Sequence, residues 1–207
     1  MSEEKAKTGD NNSLYQKEIN ILVSSKRKNN KSINGNDIIL SYGRYKIFYY
    51  DKNGEPLFLI GPDYCYFISI TILNFIFFIF INCVLFMAVN FWIIFFGMIL
   101  NVLQLLCLVI CGIKNPGLPR KDMQNEDLLE KFPDKFERCH LCNLIIDNTK
   151  NFRHCDICQC CCEEMDHHCP WTSKCVGKGN IFYFNGMLIM IFIIFFYMIG
   201  TLLFINK

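Results

Sequence analysis

The chain contains 207 residues, of which 52% are hydrophobic and 20 are phenylalanine, and its formal net charge is only +2. Charged and apolar residues occupy separate stretches, which excludes an ordinary soluble domain. A net charge this small gives no reason to expect a nucleic-acid partner. We expect no secretory signal, because the first residues lack an apolar core, and the odd number of cysteines, 13, also argues against a disulfide-bonded domain.

The N-terminal part of the chain divides into two segments. Residues 1–41 are rich in Lys, Asn, Ser and Glu without apolar periodicity, and this composition predicts a disordered tail. Residues 42–63 contain two short aromatic and aliphatic runs on either side of Asn53-Gly54, a dipeptide typical of a β-hairpin. The Tyr and Phe content of these runs favours a hairpin that rests on the membrane surface.

Residues 64–113 carry no charged side chain, over more than twice the ~20 residues needed to cross a bilayer. They predict a transmembrane helical hairpin with helices at about 64–88 and 91–112, separated by a polar and aromatic interface. Four amides inside these spans are expected to face other helices, because an unpaired amide in lipid is costly: Asn74, Asn82, Asn101 and Gln104.

The second half of the chain returns to the membrane once more. Residues 114–138 form a charged linker that starts with helix-breaking Pro and Gly, and residues 181–207 are apolar and predict a third transmembrane helix. Lys and Arg are concentrated in the tail and in the region between the second and third spans, and the positive-inside rule places these parts in the cytosol. The predicted fold class is an all-α polytopic membrane protein with a loop-rich cytosolic domain at 139–180.

The loop-rich domain is a cysteine-rich stretch with metal-ligand spacing. All four histidines and nine of the 13 cysteines fall between Cys139 and Cys175. Two Cys-x-x-Cys pairs can each place two thiolates on one Zn²⁺, and nearby histidines and cysteines can complete tetrahedral sites. Eight ligands for two structural zinc ions can be drawn from Cys139, Cys142, His154, Cys155, Cys158, one of Cys160, Cys161 and Cys162, His168 and Cys175.

Cys169 is left over by this choice of ligands, and it lies beside Asp166 and His167. A cysteine next to a histidine that is next to a carboxylate is an arrangement for nucleophilic catalysis on an acyl carbon. His167 and His168 are adjacent, so in an extended backbone they point to opposite sides. One of them can then bind metal while the other faces the reaction site.

The spacing of these residues resembles the cysteine-rich domain of the DHHC family of protein S-acyltransferases, the palmitoyltransferases. The matching positions are Cys139, Cys142, His154, Cys155, Cys158, Cys161, Asp166-His167-His168-Cys169-Pro170-Trp171, Cys175, Gly177, Asn180 and Phe184. The resemblance implies two interleaved structural zinc sites, one held by Cys139, Cys142, His154 and Cys161 and the other by Cys155, Cys158, His168 and Cys175. The chain departs from the family pattern at Asn115, where the family usually has Asp, and in a longer loop ahead of His154.

The resemblance also implies a reaction. Cys169 would take a long-chain acyl group from palmitoyl-CoA and pass it to a cysteine of a membrane-associated substrate protein on the cytosolic side. His167 would act as general base and acid, and Asp166 would orient it. Three cations, Lys174, Lys178 and Arg153, could meet the phosphates of CoA or could be solvated surface residues. Golgi and ER membranes are the locations that the family implies.

An alternative hypothesis remains open at this point. The family typically has four spans and a Thr-Thr-x-Glu motif, whereas the sequence ends after the third predicted span. This predicts either a partner subunit or a homo-oligomer that completes the enzyme, or a truncated sequence. The alternative function is that of an inactive, zinc-stabilised membrane adaptor.

Overall fold

The computed structural model describes residues 42–52, 55–86 and 89–205. The predicted disordered tail, residues 1–41, lies outside the described residues. The elements in chain order are β1 Lys46–Tyr50, β2 Pro56–Ile60, α1 Tyr64–Phe86, α2 Phe91–Ile113, α3 Glu126–Lys131, β3 Phe136–Arg138, β4 Ile145–Asp147, β5 Phe152–Cys155, β6 Cys160–Glu163, β7 His167–Cys169, β8 Lys174–Val176 and α4 Ile181–Ile205.

Three of the described helices, α1, α2 and α4, are long and apolar enough to cross a membrane. Most of their large apolar side chains point outward and are exposed, which is stable only when lipid rather than water surrounds them. Helix α2 ends where the chain turns extended at Lys114, whose backbone N–H still bonds to the carbonyl of Ile110. The helix therefore ends just before the Pro and Gly of the linker.

Helix α2 contacts both α1 and α4. Phe67, Leu108 and Met187, one from each helix, form a buried cluster near the cysteine-rich domain. The amides of Asn74 and Asn101 line a small cavity between α1 and α2. Each of the two also donates a hydrogen bond to the carbonyl four residues earlier in its own helix, so the NH₂ group of each amide has an acceptor without a polar partner on the neighbouring helix.

The region between α2 and α4 contains short strands as well as loops, so the all-α description applies only to the membrane part. Its strands form three antiparallel pairs, β3 with β4, β5 with β6, and β7 with β8. Leu128, Phe132, Phe136 and Ile145 form a small apolar cluster under α3. A core of this size contributes little burial, so other interactions must hold the domain together.

The first two strands also pair antiparallel, with an irregular register, whereas Asn53 and Gly54 lie outside the described residues. The hairpin packs against the cysteine-rich region: Leu59 is fully buried in a cluster with Leu118 and Cys160. The side chain of Asn115 donates to the carbonyl of Pro56 at 2.8 Å. The hairpin therefore joins the beginning of α1 to the end of α2, a role that its sequence did not predict.

Exchange of a helical glycine tests the packing of α1 on α2. A Cβ atom at Gly112 would lie 2.2 Å from the ring of Phe67, whereas a Cβ at Gly200 would meet no atom within 4 Å. Overpacking costs about 1–3 kcal/mol, more than the ~0.5–1 kcal/mol that alanine gains over glycine in a helix. We expect Gly112→Ala to lower the thermal unfolding temperature in detergent and Gly200→Ala to leave it unchanged or raise it.

A second substitution tests whether the loss of stability in Gly112→Ala comes from the clash with the ring of Phe67. Phe67→Leu removes the ring that the new methyl group would meet, so adding it to Gly112→Ala should restore part of the lost stability. A fully stable Gly112→Ala protein would contradict the close approach of the two helices.

Candidate metal centres and nucleophile

The structure brings Cys139, Cys142, His154 and Cys161 together, with their ligand atoms all within 4.8 Å of one another. The two leading cysteines lie in the turn between β3 and β4, and the other two residues face each other across β5 and β6. Nδ1 of His154 is 3.7 Å from Sγ of Cys139 and 4.0 Å from Sγ of Cys161. We call this set the first quartet.

A second quartet consists of Cys155, Cys158, His168 and Cys175, again with all ligand atoms within 4.8 Å of one another. His168 and Cys175 are paired across β7 and β8. Nδ1 of His168 lies 3.3 to 3.8 Å from the three sulfur atoms. The structure therefore collects the same two groups of four that the family resemblance implied.

The spacing within the quartets fits a tetrahedral zinc ion. Zn–S bonds of ~2.3 Å and Zn–N bonds of ~2.0–2.1 Å at tetrahedral angles require about 3.8 Å between sulfur atoms and about 3.6 Å between sulfur and nitrogen. The sulfur–sulfur distances are 3.6 Å for Cys142 with Cys161 and also for Cys158 with Cys175. The first quartet is half-buried to buried and the second mostly buried, as suits closed structural sites.

Strand β5 explains why the two quartets interleave. Side chains alternate between the two faces of a strand, so the adjacent residues His154 and Cys155 must point in opposite directions. One joins the first quartet and the other joins the second. Asn143 and Gln159 follow the two Cys-x-x-Cys turns with positive φ angles of 61° and 54°. Asn tolerates this backbone conformation better than most residues, and it allows each turn to bring its two sulfur atoms together.

The thiols within each quartet already favour partial ionisation. A hydrogen bond from Cys161 lowers the pKa of the Cys142 thiol to about 4. Hydrogen bonds from Cys158 and Cys175 lower the pKa of Cys155 far below its usual range. Thiolate is the form that binds metal, so these lowered pKa values favour metal binding by each quartet.

Cys160 and Cys162 lie outside both quartets and are buried. Burial raises the pKa of the Cys160 thiol above its usual range and that of Cys162 to about 12. Sγ of Cys162 donates to the carbonyl of Pro116 at 3.3 Å. Of the three consecutive cysteines, only Cys161 has its sulfur beside the other ligand atoms.

The two histidines of the quartets differ in the contact that their Nε2 atom makes. Nε2 of His168 is 2.7 Å from a carboxylate oxygen of Asp63, whose side chain is only 25% exposed. Nε2 of His154 is 3.8 Å from Asp156, which is 90% exposed. The first contact is a hydrogen bond and the second is too long to be one. Sequence reasoning missed Asp63, which lies 105 residues from His168.

Cys169 lies outside both quartets and is buried, 5% exposed. It shares strand β7 with His167, and residues two apart on a strand point to the same face. Nδ1 of His167 is 3.1 Å from a carboxylate oxygen of Asp166, and its ring packs edge-on against Phe184. Within the described chain no hydrogen bond joins His167 to the Cys169 sulfur, a contact that is often loose in the absence of substrate.

The three cations considered for CoA phosphates have different surroundings. Lys174 is fully buried, and its Nζ donates to the carbonyls of Leu59 and Gly112. Burial lowers its pKa to about 7. It is therefore neither a solvated surface residue nor free to meet a phosphate. Lys178 bonds to two glutamates on the surface, and Arg153 is exposed.

Asn180 connects the site to two of the membrane helices. Its side chain is fully buried. It donates to the carbonyls of Cys111 in α2 and Cys175 in β8, and it accepts from the backbone of Gly177. Since α4 begins at the next residue, one amide holds the second quartet, α2 and α4 together.

The fold and the site define a membrane protein with two candidate metal centres and, beside them, a Cys-His-Asp group that belongs to neither centre. Residues 133–206 match the family model described as DHHC palmitoyltransferase. This match confirms the resemblance of the cysteine-rich region to the DHHC palmitoyltransferase domain that was seen in its sequence.

Individual relatives agree with the family model. Palmitoyltransferase Hip14 of Drosophila melanogaster is 30% identical over 114 residues, which are 49% of this chain and 18% of that protein. Palmitoyltransferase ZDHHC9 of Homo sapiens is 44% identical over 50 residues, 24% of this chain and 13% of that protein. Palmitoyltransferase ZDHHC3 of Rattus norvegicus is 32% identical over 95 residues, 42% of this chain and 31% of that protein. The chain thus spans less than a third of the length of each of these relatives.

Removal of single cysteines tests the assignment of the quartets. We expect the purified wild-type protein to contain about two zinc ions per chain. Cys142→Ser should lose one of them and make the domain sensitive to protease, because a structural site that loses a ligand no longer stabilises the fold. Metal analysis and limited proteolysis provide the measurements.

Cys160→Ser is the matched control, because it removes a buried thiol that lies outside both quartets. It should keep both zinc ions. Loss of zinc in Cys160→Ser, or its retention in Cys142→Ser, would contradict the quartets.

Proposed function

We propose that this protein is a protein S-palmitoyltransferase that moves a long-chain acyl group from acyl-CoA to cysteines of membrane-associated proteins through an acyl-enzyme on Cys169. The observation that supports this most is that Cys169 stays outside both quartets while it shares a strand face with His167. A thiol bound to metal would not be available as a nucleophile. The matches to DHHC palmitoyltransferases support the same activity.

The proposed reaction has two transfers. His167 takes the proton of the Cys169 thiol, the thiolate attacks the thioester carbonyl, and the bond from the acyl carbon to the CoA sulfur breaks. The proton on His167 passes to the departing CoA sulfur. The thiol of a substrate cysteine then gives its proton to His167 and attacks the acyl-enzyme, and Cys169 is released and protonated again. Asp166, bonded to Nδ1 of His167, would keep Nε2 available for each transfer.

The position of Cys169 suits a lipid substrate. The turn Pro170–Thr172 that follows it contacts both α1 and α2. Trp171 is exposed and packs edge-on against Tyr66 in the first turn of α1. At ~0.8 kcal/mol per buried CH₂, a palmitoyl chain gains on the order of 10 kcal/mol from the hydrocarbon phase. A nucleophile at the interface can reach the thioester without drawing that chain into water.

We also propose that each quartet holds one structural Zn²⁺. The first would use Cys139, Cys142, His154 and Cys161, and the second Cys155, Cys158, His168 and Cys175. The bound ions would stabilise the fold of a domain with a small apolar core, and they take no part in the acyl transfers. A positioned nucleophile benefits from such a rigid support.

The proposed orientation places the cysteine-rich domain in the cytosol of an endomembrane, Golgi or ER. The distribution of Lys and Arg supports it through the positive-inside rule. Free thiols persist on that reducing side of the membrane. The acyl donor would be palmitoyl-CoA, and the acceptors would be membrane-associated proteins with cytosolic cysteines.

Acyl labelling tests the proposed function. An alkyne analogue of palmitoyl-CoA should label the purified protein through a bond that hydroxylamine cleaves, and Cys169→Ser should lose this label. Asp166→Asn should reduce the rate of labelling by 10-fold or more, since the aspartate then no longer orients and stabilises the histidine as a carboxylate would. Gel fluorescence of the labelled chain is the measurement.

Cys162→Ser is the control for labelling elsewhere, because that thiol is buried outside both quartets. It should keep the full signal. If the wild-type protein contains both zinc ions but no label at Cys169, the protein is an adaptor rather than an enzyme.

A separate measurement tests the orientation. A tag at the N-terminus should react with antibody in cells whose plasma membrane alone is permeabilised, whereas a tag after residue 207 should react only after all membranes are opened. The opposite pattern would place Cys169 on the luminal side and would rule out cytosolic acyl transfer.

A further inference from the structure

We propose that Asp63, the residue before α1, is a positioning residue for the second quartet: its carboxylate accepts the Nε2 proton of His168 and thereby ties the strand of the nucleophile to the first membrane helix. The inference rests on the proposed metal-binding role of the second quartet, but not on acyl transfer. It assigns a role to a residue outside the cysteine-rich domain.

The hydrogen bond is short and well protected from solvent. Nε2 of His168 lies 2.7 Å from the carboxylate of Asp63, and the two side chains are only 8% and 25% exposed. The other nitrogen of the same ring, Nδ1, faces the three sulfur atoms of the quartet. A histidine that donates one N–H to a carboxylate is fixed in the tautomer whose other nitrogen can bind metal.

The backbone around Asp63 also makes hydrogen bonds to the cysteine-rich domain, at the beginning of strand β8. The backbone N–H of Gly61 donates to Oγ of Ser173 at 3.1 Å, and that of Asp63 donates to the carbonyl of Ser173 at 3.2 Å. A Cβ at Gly61 would lie 2.0 Å from the same carbonyl, so only glycine permits this approach. Nζ of Lys174 adds a bond to the carbonyl of Leu59 at 3.0 Å.

These contacts surround the residues that carry the proposed chemistry. His168 lies between His167 and Cys169 on strand β7, and Cys169 pairs with Lys174 on β8. A bond that fixes His168 therefore also fixes the direction in which its two neighbours point. Through Asp63 that direction is set relative to the first turn of α1, where the acyl chain would enter the membrane.

A purely structural role for Asp63 would be that of a helix cap, since it immediately precedes α1 and its carbonyl accepts from the N–H of Phe67. Asn, Asp and Ser are all good residues at that position. Of these three, only Asp and Asn are long enough to reach His168, because the serine side chain is shorter by one atom. The pair Asp63→Asn and Asp63→Ser thus separates the two roles.

The experiment measures zinc release from the full-length protein in detergent to a chromophoric chelator. We expect Asp63→Ser to release one of its two zinc ions 10- to 100-fold faster than the wild type, the usual effect of losing such an outer partner. Asp63→Asn should stay within about 3-fold of the wild type, because its side-chain oxygen still accepts the His168 proton. Equal rates in Asp63→Ser and the wild type, or equal acceleration in both variants, would overturn the proposal.

Asp156→Ser provides the matched control. It removes an exposed carboxylate that lies 3.8 Å from the histidine of the first quartet, so its release rates should remain those of the wild type. Acceleration similar to that of Asp63→Ser would show a general effect of lost negative charge and would also overturn the proposal.

A second measurement applies if Asp63→Ser does not assemble. In Asp63→Asn with Co²⁺ in place of Zn²⁺, loss of the carboxylate charge should shift the ligand-field absorption of one of the two metal ions. A spectrum identical to that of the wild type would overturn the proposal. Failure of acyl labelling at Cys169 would refute the proposed enzyme while leaving these metal measurements unaffected, so the two outcomes can be distinguished.

Discussion

The opposite orientation of His154 and Cys155 on strand β5 is the constraint on which the cysteine-rich domain depends. Because neighbouring side chains on a strand face opposite ways, this one strand supplies a ligand to each quartet. The first quartet also takes residues from the turn between β3 and β4 and from β6, and the second from the turn after β5 and from β7 and β8. The three strand pairs are thereby joined into one unit, to which the apolar cluster under α3 adds only a small core.

The same unit is attached to the membrane helices by polar contacts. Asn180 bonds to the end of α2 and to β8, and Lys174 bonds to α2 and to β2. A Zn²⁺ ion with three thiolates and one neutral imidazole carries a net negative charge, so a buried lysine beside the second quartet is electrostatically favourable once metal is bound. The proposed metal binding, the attachment to α2 and the position of Cys169 therefore involve the same small group of residues.

Local patterns in the sequence were sufficient to predict much of this structure. Uncharged stretches of more than 20 residues identify helices that can span a membrane whatever their packing, and the spacing of Cys and His identifies groups that can bind metal. The alternation of His167 and His168 followed from extended backbone alone. The assignment of all eight residues to the two quartets required the family resemblance as well, because any of three consecutive cysteines could fill one of the positions.

The contacts that the sequence could not predict join residues far apart in the chain. Asp63 and His168 are separated by 105 residues, and Lys174 and Leu59 by 115. Nothing adjacent to Lys174 distinguishes it from a solvated surface lysine, since its burial results from the approach of β2 and α2. The strands between residues 136 and 176 are only three or four residues long. This is too short for an alternation of apolar and polar residues to be recognised in a sequence dominated by regularly spaced cysteines.

X-ray absorption at the zinc edge tests the central claim, that two quartets bind metal and leave Cys169 free. The purified protein should contain two zinc ions per chain, each with an average of three sulfur ligands and one nitrogen ligand. Cys169→Ser should give the same spectrum and the same zinc content. A lower number of sulfur ligands in that variant, or a single zinc ion per chain in the wild type, would contradict the account.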